Sequence, residues 1–112
     1  MNLTAEARDG ALLVRVGESR IDAAVAIRFK EMMRDILKEP APRVVLDLSR
    51  VEFLDSSGLG ALVAVMKAMG DGRRLELMGL TPNVEKVFRL TRMDSVFVIH
   101  PDLPGKELRH VG

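Results

Sequence analysis

The stretch from residue 44 to residue 69 constrains the fold more than any other. Val44-Val45-Leu46-Asp47-Leu48-Ser49 and Val51-Glu52-Phe53-Leu54 are apolar and rich in β-formers. They run into Asp55-Ser56-Ser57-Gly58-Leu59-Gly60, an acidic-hydroxyl-glycine turn, and then into Ala61-Leu62-Val63-Ala64-Val65-Met66. A strand that stops at such a turn and hands over to a helix predicts an α/β unit. It also places two serine hydroxyls at a helix N-terminus, where unpaired N–H groups and the helix dipole favour negative charge. A hydroxyl there can be an N-cap, a nucleophile or a phosphorylation site.

The flanking elements extend this unit. Leu3–Arg8 and Ala11–Val16 read as strands around Asp9-Gly10, a two-residue hairpin signal. Asp22 reads as an N-cap, and Val25, Phe29, Met32, Met33, Ile36 and Leu37 recur at helical spacing until Pro40 and Pro42 stop them. Arg43 to Leu48 is the expected central strand, Ser57 to Met69 the second helix with Gly70 as its C-cap, and Arg73 to Met78 another strand. Thr81-Pro82 opens a third helix as N-cap and first-turn proline, with Val84, Val87, Phe88 and Thr91 inward. Ser95 to Ile99 is expected to be a last strand, and 101–112 a loosely held tail after a domain of residues 1–100.

The order is ββαβαβαβ, which implies parallel crossovers and an antiparallel first strand. Arg15, Asp47 and Glu76 interrupt one face of the strands, whereas a sheet covered on both sides reads as continuous aliphatics. The expectation is a single α/β domain with a mixed, mostly parallel sheet, helices mainly on one face and a partly solvated opposite face. On the second helix, Ala61, Ala64, Val65 and Ala68 are expected to lie away from the Leu59-Leu62-Met66-Met69 stripe, as part of a partner surface.

Composition narrows the function. At 112 residues and 47% apolar, the chain suits one globular domain. It has no cysteine, so disulfides, thiolate metal sites and a cysteine nucleophile are excluded. A net charge of +1, with four Phe and no Trp or Tyr, gives no case for direct nucleic-acid or anionic-membrane binding. The start lacks signal-peptide character and no run approaches a membrane span, which suits a cytoplasmic protein. Only His100 and His110 are available for a Ser-His-Asp arrangement, the local order is not Gly-x-Ser-x-Gly, and no Gly-Lys-Ser/Thr follows Gly58-Leu59-Gly60. No His/Asp/Glu cluster has metal-ligand spacing, so no cofactor and no enzymatic activity are expected.

Taken with the element order, the Asp55-Ser56-Ser57-Gly58-Leu59-Gly60 motif and the Thr81-Pro82 helix resemble the STAS domain, and most nearly the anti-sigma factor antagonists, over roughly residues 3–100. The resemblance implies partner switching. The unphosphorylated antagonist binds an anti-sigma factor that is also a serine kinase; phosphorylation on a serine dissociates the pair; a metal-dependent serine phosphatase reverses it. The first hydroxyl of the motif falls on Ser56. Asp22, Asp55, Ser57 and Gly58 then form the partner-facing rim. Two departures stand out: Gly17-Glu18-Ser19-Arg20-Ile21-Asp22 is longer than the family's Gly-Glu-Leu/Ile-Asp, and Arg92 stands where the family often has Gly. An alternative keeps the fold but makes the protein a constitutive adaptor of a transport or signalling assembly, never phosphorylated. A small hydrolase acting through Ser56 is a third option, disfavoured by the histidine positions.

Overall fold

Asp9 and Gly10 adopt φ of 49° and 79°, the positive values a tight primed turn needs, and the hairpin forms as expected. It joins β1 (Leu3–Arg8) to β2 (Ala11–Val16), paired antiparallel from Leu3↔Val16 to Arg8↔Ala11. The protein is seen in a computed structural model that describes residues 1–101; the expected tail lies almost wholly outside the described residues. Beyond the hairpin come β3 (Arg20–Ile21), α1 (Ala23–Ile36), β4 (Arg43–Asp47), β5 (Phe53–Leu54), α2 (Ser56–Met69), β6 (Arg74–Met78), α3 (Pro82–Leu90) and β7 (Val98–His100).

The main sheet has the order β1-β2-β4-β6-β7, and every pair after the hairpin is parallel. This is the expected mixed sheet with β4 at its centre. Alternation along the strands separates two faces. Leu12, Val14, Val16, Val44, Leu46, Leu75 and Leu77 join Phe29 and Met33 of α1, Leu62 and Val65 of α2, and Val84 and Phe88 of α3 in one large core. Full burial of a side chain of this size contributes roughly 1.5–3 kcal/mol. The other face carries a separate small cluster of Leu13, Val45 and Met78, which among the described residues no helical side chain joins. The helices therefore do lie on one face. The opposite face is solvated at its rim, where Glu6, Arg15 and Arg74 are 46%, 52% and 65% exposed, while its centre is buried.

Three local expectations are revised. Residues 93–95 form a 3₁₀ turn and the last strand begins only at Val98. The Ser95 hydroxyl donates to the Arg92 carbonyl at 2.7 Å, and Phe97 turns inward, its ring edge-on to Phe88 at 5.7 Å. Arg92 itself has φ of 62°, a left-handed geometry that glycine adopts at least cost, so this chain holds an arginine where the backbone favours glycine. Thr81 occupies the N-cap position of α3 but makes no cap bond; its hydroxyl donates instead to the Val51 carbonyl at 2.7 Å. On α2, Ala61 and Val65 belong to the core, leaving Ala64 and Ala68 of the expected four at the surface.

Candidate functional site

The two-residue strands β3 and β5, which sequence patterning did not reveal, build the corner around the serines. They pair in parallel, Arg20 opposite Phe53 and Ile21 opposite Leu54. Ile21 and Leu54 turn into the core, while Arg20 and Phe53 face outward with the guanidinium over the ring at 4.4 Å. The Glu52 N–H donates to the Ser19 carbonyl at 2.8 Å and continues the pairing. Because β3 and β5 run side by side, the turns that follow them also lie side by side. α1 and α2 therefore begin next to each other.

Two aspartates fix these beginnings. Asp22 caps α1, its Oδ1 accepting from the Ala24 N–H at 3.1 Å. Asp55 caps α2, its Oδ1 accepting from the Gly58 N–H at 2.9 Å. The other oxygen of Asp55 accepts from the Ala23 N–H of α1 at 3.3 Å. One carboxylate thus holds orphan donors of two helices at once. Asp22 in turn accepts from Arg20 Nε at 3.2 Å through Oδ2.

Gly58 explains how closely the helices approach. It is buried, and a Cβ there would lie 2.0 Å from the Ile21 carbonyl oxygen and 2.7 Å from Leu54 Cδ1. The close backbone approach at this glycine comes from within the protein, where the start of α2 packs on β3. Gly60 differs: it is exposed, with nothing within 4 Å of the Cβ position.

Ser56 and Ser57 are the first two residues of α2 and both are exposed. Of the roles open to these hydroxyls, capping falls to Asp55 instead. Neither serine hydroxyl hydrogen-bonds to a described residue, and Asp55 uses both oxygens on backbone N–H groups. His100 lies on the opposite face of the sheet, its Nε2 2.7 Å from Glu76 Oε1, and does not approach Ser56. Among the described residues no group of three or more metal-ligating side chains comes together. The arrangement offers an accessible hydroxyl at a capped helix start, and among the described residues no histidine stands beside it.

Fold and site together define a small mixed α/β domain that presents two free serine hydroxyls where two helices begin. The chain belongs to the STAS domain family, whose model matches residues 2–105. It is similar to the anti-sigma-B factor antagonist of Staphylococcus aureus (strain NCTC 8325 / PS 47), at 21% identity over 101 residues, covering 89% of this chain and 93% of that protein. It is also similar to an anti-sigma factor antagonist from Mycobacterium paratuberculosis known from its crystal structure, with a TM-score of 0.82 and 29% identity over 91% of this chain and 86% of that one. The Bacillus cell fate determinant SpoIIAA in its phosphorylated form shares the fold, with a TM-score of 0.66 and 17% identity over 99% of this chain and 100% of that one.

Proposed function

We propose that the protein is an anti-sigma factor antagonist whose binding is switched by phosphorylation of Ser56. In the unmodified state it binds an anti-sigma factor with serine kinase activity. Phosphorylation by that partner releases it, and a metal-dependent serine phosphatase restores it. It acts in the cytoplasm as the substrate of phosphoryl transfer and performs no catalysis itself. The observation that carries this reading is the division of labour at the start of α2. Asp55 caps the helix, so Ser56 and Ser57 have no hydrogen-bonding duty in the fold, yet both stand exposed at its first turn.

Gly60 supports a partner on the same side. An exposed glycine inside a helix costs about 1 kcal/mol relative to alanine, and no contact within the fold requires this one. A smooth patch of Ser57, Gly60 and Ala64 lets another chain come close to the hydroxyls.

The chemistry of the switch is local. A phosphate adds nearly two negative charges beside Asp55 and Asp22. Facing a partner carboxylate about 6 Å away, it costs about 1.5–5 kcal/mol across effective dielectrics of roughly 80 to 20. Incubating the protein with its kinase partner and ATP, followed by mass spectrometry, tests the acceptor. Ser56→Ala abolishes phosphate incorporation and Ser57→Ala retains it. Label on Ser57 alone contradicts the assignment.

A further inference from the structure

Arg20 stands out among the charged residues at this corner because its contacts with Phe53 and Asp22 hold it in place without burying it. Its side chain is 59% exposed, it lies across the half-exposed Phe53 ring, and its Nε donates to Asp22. Three structural relations connect it to Ser56. The strands bearing Arg20 and Phe53 run parallel, so Asp22, two residues beyond Arg20, lies alongside Asp55, two residues beyond Phe53. Asp22 and Asp55 accept from the neighbouring N–H groups of Ala24 and Ala23. Ser56 follows Asp55 directly, and three residues of chain from Phe53 to Ser56 span at most about 11 Å. The guanidinium therefore lies at the corner where α2, and with it Ser56, begins.

We infer that Arg20 is the intramolecular ligand of a phosphate on Ser56. The inference rests on the proposed phosphorylation of that serine. A guanidinium presents five donors in a planar fork, and Asp22 uses only the Nε–H. The remaining donors are free to take phosphate oxygens in charge-assisted hydrogen bonds, the strong kind. A phosphate of charge near −2 outcompetes or shares Arg20 with the single charge of Asp22. The unmodified protein offers Arg20, braced on Phe53, to an incoming partner; the phosphorylated protein draws it back. Modification then removes a cation from the binding surface as well as adding an anion to it.

The test places phosphoserine at position 56 during translation, so no kinase is needed. Failure of a kinase to act on Ser56 leaves this test standing, and failure of this test leaves Ser56 phosphorylation standing. Titration of the phosphate is followed by ³¹P NMR. Asp22 and Asp55 raise its second pKa and Arg20 lowers it. Arg20→Gln therefore moves the midpoint upward by at least about half a unit, the scale of one unit-charge contact near 4 Å in a water-like dielectric. Arg34→Gln, at the far end of α1, leaves the midpoint in place. In parallel, the Arg20 Nε–Hε resonance shifts on phosphoserine incorporation. Identical midpoints for the parent and Arg20→Gln, an equal shift from Arg34→Gln, or an unmoved Nε–Hε resonance would each overturn the inference.

Discussion

On the helix-covered side of the sheet, Asp22 and Asp55 accept from backbone N–H groups of Ala24, Ala23 and Gly58. On the other side, Glu76 accepts from side chains. Arg43 reaches it with Nε and Nη2 at 2.8 and 2.9 Å, His100 lies at 2.7 Å, and Arg74 at 3.7 Å. Glu76 is only 2% exposed, and the Arg43 hydrogen bonds are the first cause that holds its carboxyl down at about 2. The two regions use the same functional group for different ends. Carboxylates that cap backbone N–H groups fix where two helices begin and leave the adjacent hydroxyls exposed. A carboxylate committed to side chains ties three strands together and leaves nothing free to react.

The contrast breaks most sharply at Gly58. An alanine there meets the Ile21 carbonyl at 2.0 Å, a backbone atom that cannot yield cheaply. Gly58→Ala loses roughly 3 kcal/mol or more in urea unfolding, even though alanine is the better helix former. Gly60→Ala, with open space around it, gains up to about 1 kcal/mol. Equal effects from the two substitutions would mean that α1 and α2 are not locked at this point.

The opposite face yields next. Its carboxyl is lowered from 4.5 to about 2, so its contribution to stability is full above pH 4.5 and is lost as pH falls through 2. Glu76→Gln costs about 2–3 kcal/mol at neutral pH, less than a fully buried pair, because Arg43 and Arg74 remain partly hydrated. It also flattens the decline in stability between pH 4.5 and 2. A denaturation series across that range checks both statements, and an unchanged acid limb would remove Glu76 from its role.

Asp55 gives a smaller effect with a more local signature. Asp55→Ala removes the cap of α2 and the acceptor of the Ala23 N–H at the start of α1, and costs about 1–2 kcal/mol. Amide hydrogen exchange then rises at Ala23 as well as at Gly58, although 32 residues separate Ala23 from the mutated position. Faster exchange confined to Gly58 would show that the bridge to α1 carries no weight.

Much of this was legible in the sequence wherever the determinants are close neighbours along the chain. The Asp9-Gly10 turn, the Asp22 cap and the strand–turn–helix around Ser56 each rest on a few adjacent residues. The choice of cap for α2 was not legible, because Asp55, Ser56 and Ser57 are all good capping types standing in a row. Geometry selects Asp55, the one whose second oxygen also reaches Ala23. The β3–β5 pairing escaped detection because each strand is two residues long and its partner lies 33 positions away. Glu76 showed in the sequence only as a break in an apolar face. Its partners come from β4, β6 and β7, and only the register across those strands gathers them. Arg92 shows the reverse case, a sequence exception whose left-handed backbone keeps the geometry the family pattern implied.

The effect of a phosphate on Ser56 on partner binding is the deciding quantity. Calorimetric titration of the anti-sigma partner with unmodified and Ser56-phosphorylated protein measures this directly. The charge argument predicts affinity weaker by roughly ten-fold to several thousand-fold after phosphorylation. Equal affinity of the two forms for a verified partner would contradict the switch and leave a constitutive adaptor built on the same fold.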